Sequence, residues 1–483
     1  MLNRKLLEVL KRLNAAQIKR LRLFLVSPYF NNSSLTEEVV RLFDYIMQFN
    51  AEEDHLLLTK EAVFTAFFPG KAYVENSKSP LDNLASELFR LVRKFLAQVA
   101  MEQEQGDVYE YLALARFYRQ YGLEERFEQN MKAARKAQES SPLRDVKYFY
   151  DLFRIEEEEV AFRGLYNTYG DDTNLNMAQE YLDLFYSILK LEYTCALKHQ
   201  NRVAQIELQP TNALIGDILK LSSSGGPLDV PINRVYNLIV RLLEHPDEAG
   251  YLEQLEEMLN TYKTQISPER FRNLKAYYRI FWIARYNRSG DAFTRHRNFE
   301  IYKEHLEEGY FYFDEMITTH MFWNLIIFGL KMREFEWVKK FIEDHPPERI
   351  CGTRFPAEIH SIAQAEYYLQ LKEYDEAQKY LVFRHYENPF FGITAELTLI
   401  RIYFETQNDL LDARMKALDQ KIRRSNLNRQ IKNRCFNFLK KLDKILKYGW
   451  LPKSPKRQKL VEEIKSTPEI MLREWLLEKL QEK

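Results

Sequence analysis

The chain has 483 residues, with 70 Lys plus Arg against 70 Asp plus Glu and a formal charge of zero at pH 7. That balance argues against a surface given over wholly to nucleic acid, an anionic membrane or acidic tails. Hydrophobic residues make up 46% and charged residues 29%, which excludes disordered, collagenous and fibrous classes.

Only 15 Gly and 16 Pro occur, and Val is sparse. Turn formers and β-branched residues are under-supplied, so the chain reads as nearly all helix. The 30 Tyr and 32 Phe are the large anchors that fill gaps between packed helices.

Two short basic helices are expected up to Val26, followed by the turn Ser27-Pro28-Tyr29-Phe30-Asn31-Asn32 and helices near 35–50, 59–68 and 81–100. Ser34-Leu35-Thr36-Glu37 has the capping-box pattern. Ser79-Pro80, Ser141-Pro142, Ser267-Pro268 and Thr467-Pro468 each place a capping hydroxyl before a proline, a helix-start signal. A polar connector covers 69–80, and residues 1–105 form a small helical N-terminal unit. The segment after Pro69 lacks the strands or tight turn of a winged-helix or helix-turn-helix module.

From Asp107 the pattern becomes one of paired helices: 112–121 with 123–138, then 142–167 with 174–200. The small-residue cluster 222–227 marks a loop or subdomain boundary. Hairpins resume at about 231–264, 268–308, 312–345, 357–386 and 390–424, and 425–483 caps the array with basic helices. In all, 18 to 20 helices are expected.

Within this series, residues 361–389 carry Ala365 and Tyr368 on a first helix. The turn Lys372-Glu373-Tyr374-Asp375-Glu376-Ala377 follows, and Pro389 lies beyond the second helix. This segment resembles a tetratricopeptide repeat, in which small residues let two helices approach closely and an aromatic fills the wedge beside them. Thirty-six residues on, Ala413 stands for Ala377 and Phe404 for Tyr368, while Arg401 occupies a place where a small residue is expected. Upstream, Lys331 to Val338 repeats the turn, with Val338 for Ala377 and Gly329 for Tyr368. The match is clear only near 325–420. The resemblance implies a right-handed α-solenoid of stacked antiparallel helix hairpins over 106–424, recognising peptides or proteins along a concave face. Amphipathic hairpins also build closed helical domains, and the residues alone leave both arrangements open.

No phosphate loop, dinucleotide glycine motif, nucleophile elbow or zinc-protease pattern occurs. His296 and His305, nine helical residues apart, point about half a turn away from each other and cannot grip one ion. The only Glu-x-x-His spacing, Glu52 to His55, falls in a polar connector. Neither enzyme activity nor a metal or cofactor is expected. Glu156, in the run Glu156-Glu157-Glu158-Glu159, lies at the edge of the apolar face set by Phe149, Phe153 and Val160. It either lines a groove for a basic ligand or pairs with an arginine from a neighbouring helix, as charges near a core usually do. Cys195, Cys351 and Cys435 have no metal-ligand spacing, and their sparse, odd count suits a reducing cytoplasm. The first 28 residues build no signal-peptide apolar region. The uncharged stretch 316–330 is too short to span a bilayer, so no membrane association is expected.

The zero total hides an uneven distribution. Residues 412–459 hold 16 Lys plus Arg against 3 Asp, a net of +13; residues 1–22 are +6, 460–483 are −2, and the middle is therefore −17. On the helix near 427–447, Ile431, Cys435, Phe438, Leu439, Leu442, Ile445 and Leu446 fall on one arc. Lys432, Arg434, Lys440, Lys441, Lys444 and Lys447 occupy the rest, and Lys453, Lys456, Arg457 and Lys459 extend the series. Those six bases are the candidate anion- or partner-binding residues; the alternative is a capping helix whose outer face happens to be basic. The expectation overall is a non-enzymatic scaffold that binds a protein or peptide partner in its groove, with nucleic-acid binding through 412–459 as the second reading. The opposite charge poles also allow self-association.

Overall fold

Proline at the first helical position needs no N–H there, and Pro80, Pro231, Pro268, Pro356, Pro389 and Pro455 each open an α-helix. The computed structural model describes residues 2–52, 55–74, 79–165, 173–204, 214–223, 225–246, 248, 250–289, 291–313, 315–381, 386–448 and 455–481. Parts of several expected features lie outside these residues: 75–78 of the polar connector, 166–167, Ser224, 382–385 of the repeat-like segment, and Lys453. Among the described residues the fold is all-helical, with 22 α-helices and three very short strands. None of these helices is long and apolar enough to cross a membrane. The chain divides into two compact units, Met1–Tyr193 with Asn212–Asn233 and Thr194–Thr211 with Arg234–Lys483.

The first unit begins with α1 (Arg4–Leu10), α2 (Ala15–Val26), α3 (Thr36–Gln48) and α4 (Lys60–Phe67), and continues with α5 (Pro80–Gln120), α6 (Glu124–Ser140), α7 (Val146–Leu165), α8 (Thr173–Ala204) and α9 (Ile215–Leu221). The unit boundary at Tyr193 falls inside α8. Asn14 and Gln17 form the capping box that starts α2, and Ser79 with Asp82 does so for α5. The expected box at Ser34 does not form. The Thr36 hydroxyl donates to the Ser33 carbonyl (2.7 Å), and α3 starts without a side-chain cap. Ser141-Pro142 ends α6 rather than opening α7: its hydroxyl accepts from the Leu143 N–H in a local turn (3.3 Å). Leu6, Leu10, Leu25, Phe43, Ile46, Leu88 and Leu91 lie in one apolar cluster that extends to Val99. A second, smaller cluster joins Leu112, Phe127, Met131 and Ile155, with the Phe127 and Phe162 rings stacked at 4.1 Å. Between the two, Gly106 breaks α5 at φ 54° and ψ 179°, a conformation in practice open only to glycine.

The second unit contains most of α10 (Pro231–Glu244), then α11 (Tyr251–Tyr262), α12 (Pro268–Ser289) and α13 (Ala292–Glu307). Strands β1 (Tyr312–Phe313) and β2 (Met316–Thr318) follow, then α14 (Thr319–Lys331), α15 (Phe335–Asp344) and β3 (Ile350–Cys351). The remainder is α16 (Pro356–Gln370), α17 (Tyr374–Lys379), α18 (Pro389–Glu405), α19 (Leu411–Arg424), α20 (Arg429–Tyr448), α21 (Pro455–Ser466) and α22 (Arg473–Gln481). One apolar cluster runs from Tyr302 to Leu480. The strands depart from the expected hairpin over 312–345. β1 pairs antiparallel with β2 across a turn that holds Glu315 at φ 63°, and β2 pairs parallel with β3. The Thr319 hydroxyl donates to the Cys351 carbonyl at 2.8 Å, so β3 is tied to the start of α14. Thr467-Pro468 opens no helix, because the threonine hydroxyl donates back to the Glu463 carbonyl at the end of α21.

Four hairpins share one turn. Gly122, Arg333, Lys372 and Gln407 adopt φ of 68°, 59°, 63° and 53°. The next N–H in each case donates to the carbonyl five residues back: Leu123 to Tyr118, Glu334 to Gly329, Glu373 to Tyr368 and Asn408 to Tyr403, at 2.9–3.0 Å. This is the Schellman helix stop. In the first three the following helix starts at once, and Phe127, Val338 and Ala377 sit buried at the same place on it. The fourth corrects the spacing read from sequence. The Asn408 side chain accepts from the Leu410 N–H and lengthens the turn, so Tyr403 rather than Phe404 matches Tyr368. Ala413 is exposed as a result, and Leu411 and Leu418 face the core in its stead.

The substitutions at 329 and 338 are complementary. A Cβ on Gly329 would lie 2.5 Å from Val338 Cγ2 and 3.2 Å from the Trp337 ring, so the glycine makes room for the larger residue. Gly329→Ala is therefore expected to cost about 1–2 kcal/mol despite the better helix propensity of alanine. Adding Val338→Ala should restore most of that loss, and additive penalties in a urea-denaturation double-mutant cycle would contradict this account.

Candidate functional site

The apolar arc of α20 is buried as its spacing predicts: Cys435, Phe438, Leu439, Leu442 and Ile445 are in the core, and burial pushes the Cys435 thiol up to about 11. The six bases around it go to different surroundings. Lys441 is buried, and its ammonium lies 3.0 Å from Glu463 of α21. Half-buried Lys444 meets the same carboxylate at 2.6 Å. Lys447 is exposed and pairs with Asp443 at 2.7 Å, while Lys432 donates to the Arg423 carbonyl at 3.4 Å. Arg434 and Lys440 are exposed with no ion pair among the described residues. Arg434 borders the backbone of Met471, whose N–H donates to its carbonyl, so it does not share the outer face with Lys440. That face instead joins Arg429, Lys440 and Lys447, which at eleven and eighteen residues from Arg429 lie within about 20° of azimuth.

A groove in the first unit has no counterpart among the expected sites. Tyr109, Leu112, Ala113 and Arg116 of α5 face Lys147, Tyr150, Asp151 and Arg154 of α7 across a space of about 300 Å³. Both quartets have the spacing i, i+3, i+4, i+7, so each helix presents one continuous face. Leu112 is the most deeply buried lining residue, and the charged and tyrosine side chains lie nearer the surface. Arg116 and Arg119 both bind Glu158, Lys147 lies 3.1 Å from Asp151, and Arg154 donates to Glu157 (3.0 Å) and to the Tyr150 hydroxyl (3.2 Å). Burial pushes the Asp151 carboxyl up, against the opposing pull of Lys147 and Arg154. Tyr109 is 48% exposed and Tyr150 37%. On the same helix, Phe117 and Tyr121 stand out into solvent with ring centroids 4.6 Å apart. On α8, exposed Leu175, Leu182, Tyr186 and Tyr193 fall on one stripe. A shallower depression of about 600 Å³ lies along α3, between Val26, Val40, Tyr45 and Arg41.

Glu156 resolves the choice left open by the sequence. It is buried and held by the guanidinium of Arg135 on α6 (2.5 and 3.3 Å) and by the Asn174 amide (2.5 Å), so it is a paired carboxylate. Among the described residues no three His, Cys, Asp or Glu side chains converge as a metal-holding group. Compared with protein-family models, with curated proteins and with solved structures, the chain matches none.

The groove was missed because its signal is mixed. Phe149, Phe153 and Val160 mark the apolar face of α7, and Lys147, Tyr150 and Arg154 read as the ordinary solvated side beside it. The available clue is a tyrosine and an arginine on one face of each helix, Tyr109 with Arg116 and Tyr150 with Arg154.

The Glu463 carboxyl is held down to about 2 by hydrogen bonds from Lys444 and Lys441. A folded-state value below the unfolded 4.5 means that this stabilisation is complete above about pH 4.5 and is lost as pH falls toward 2. Glu463→Gln should therefore cost about 1–3 kcal/mol at neutral pH, because it leaves buried Lys441 without its counter-charge while the more exposed Lys444 stays solvated. The gap to the wild type should close between about pH 4.5 and 2 in thermal denaturation.

Proposed function

We propose that the protein is a non-enzymatic, tetratricopeptide-like helical-repeat scaffold of the cytoplasm that binds a segment of a partner protein in the groove between α5 and α7. The observation that carries this reading is the pair of facing quartets, Tyr109-Leu112-Ala113-Arg116 and Lys147-Tyr150-Asp151-Arg154. Exposed tyrosine beside arginine is the composition of binding hot spots, and the solvent-facing cations Arg116 and Lys147 at the edge of the groove favour a segment with acidic side chains. The Schellman turn shared by four hairpins supports the repeat character. Exposed apolar residues on α5 and α8 add surface of the kind that partners cover.

A photo-crosslinking residue in place of Tyr109 should capture a discrete partner in the native host. The partner segment identified in this way should bind the purified chain and lose about 10- to 30-fold in affinity with Tyr150→Ala or Arg154→Glu. Unchanged affinity in both variants, with folding intact by circular dichroism, would rule out the groove as the binding site.

A second reading rests on the outer face of α20, where Arg429 and Lys440 are exposed without an ion pair among the described residues. Single-stranded RNA or duplex DNA would bind there through phosphates, with affinity falling steeply between about 50 and 200 mM salt. Arg429→Glu with Lys440→Glu is the informative variant, because Lys441 and Lys444 are engaged with Glu463 and their replacement would disturb packing. Absence of retention on either nucleic acid at about 50 mM salt would end this reading.

A further inference from the structure

The helix pair α12 and α13 buries more positive charge than it neutralises. Lys275 and Arg279, one turn apart on α12, are 9% and 7% exposed, and His305 of α13 is 1% exposed. Arg279 Nη1 donates to His305 Nδ1 at 2.7 Å, so the imidazole is neutral and carries its proton on Nε2. That Nε2–H has no hydrogen-bond partner among the described residues. Of the five N–H groups of a guanidinium, only the one on His305 is engaged among the described residues. The Lys275 ammonium makes no hydrogen bond or ion pair there. It lies instead 5.6 Å from the Phe271 ring centroid and 5.8 Å from that of Tyr278. The Arg279 guanidinium is stacked 4.5 Å over Phe311.

The acids nearby are committed elsewhere. Glu308 binds Lys263 at 2.9 Å, while Glu256 and Glu304 both bind Arg297, at 2.7 and 2.8 Å. Burial pushes Arg279 down to about 10 and Lys275 in the same direction. Burial, followed by the fields of Arg279 and Lys275, takes His305 down to about 2. Among the described residues, the imidazole is thus the one side chain that accepts a hydrogen bond from either cation. The rings of Phe271, Tyr278 and Phe311 flank the two cations, and both cations are more than nine-tenths buried. Buried cations of this kind normally have a counter-charge, because the desolvation penalty is several kcal/mol per ion.

We infer that Lys275 and Arg279, the latter oriented by its bond to His305 Nδ1, form a binding site for a phosphate-class dianion, taken either as the free ion or as the terminal group of a phosphate monoester. The two cations match the two charges. Guanidinium donates in a planar fork and ammonium as a point charge, both suited to phosphate oxygens.

The test is thermal unfolding of the full chain at about pH 8, comparing about 20 mM inorganic phosphate, or O-phosphoserine, with sodium chloride of equal ionic strength. Ligand binding to the folded state alone should raise Tm by about 3–6 °C. Lys275→Met should abolish the rise and, by removing an uncompensated buried cation, should raise Tm in the chloride buffer. Arg279→Gln should also abolish the rise, whereas exposed Lys416→Met on α19 should keep it. A response to both ligands assigns the site to monoesters, and a response to inorganic phosphate alone assigns it to the free ion. Equal Tm in all three buffers, or a phosphate response that survives in Lys275→Met, overturns the proposal.

Discussion

Four buried glutamates fix how neighbouring helices meet. Glu156 and Glu158 on α7 and Glu358 and Glu366 on α16 are each more than nine-tenths buried. Each one draws its donors from other segments. Glu156 takes Arg135 of α6 and Asn174 of α8, and Glu158 takes Arg116 and Arg119 of α5. Glu358 accepts the N–H groups of Glu387 and Asn388 at the start of α18, and Glu366 takes Arg401 and Thr398 of α18. A buried carboxylate without such partners costs several kcal/mol, so α5, α6 and α8 can rotate or slide against α7 only by breaking these bonds. The same holds for α18 against α16. Net stability from such pairs is small, because desolvation offsets attraction; what they supply is a single register. Hydrophobic packing alone tolerates sliding by a turn, and these carboxylates do not.

This also explains Arg401. A repeat pattern built on close helix approach expects a small residue there, and an unpaired arginine would be excluded from a position 4% exposed. Glu366, thirty-five residues earlier and 3% exposed, makes it compatible. The departure from the pattern is half of a pair whose other half lies on the preceding hairpin. Gly329 with Val338 follows the same rule in apolar form, since the volume lost on one helix is filled from the next. Such paired changes, across hairpins at Glu366 and Arg401 and within one at Gly329 and Val338, are invisible to a reading that scores each helix alone.

Helices were legible in the sequence because apolar periodicity reports burial directly. The helix read near 427–447 is Arg429–Tyr448, and that read near 35–50 is Thr36–Gln48. Cap signals were less secure: Ser79-Pro80 and Ser267-Pro268 precede helices, whereas Ser141 and Thr467 spend their hydroxyls on local turns. A hydroxyl before proline serves either role, and the choice depends on whether the next turn has an apolar face to bury. The short strands escaped notice for a related reason. Two- and three-residue segments are too brief to show a period of two. The paired state of Glu156 was legible, since a charge at the edge of an apolar face needs a partner. The fates of Lys440 and Lys441 were not: adjacent in sequence, they differ because α21 covers one side of α20 and leaves the other open.

The same distinction between covered and open charge bears on where this protein needs a ligand. The segment 412–459 is strongly basic by composition, yet much of that charge is met locally by Glu396, Asp419, Asp443 and Glu463. The bases left over, such as Lys416, Arg424, Arg429 and Lys440, are exposed, and a solvated cation bears no penalty for lacking a partner. A basic surface is thus permitted to bind anions without being obliged to. Lys275 and Arg279 are in the opposite position. Their desolvation is already incurred in the folded chain, and every neighbouring acid is occupied by another cation. Sequence arithmetic points to the C-terminal pole because it counts charges, whereas the physical demand for a counter-ion follows burial and points to α12 and α13.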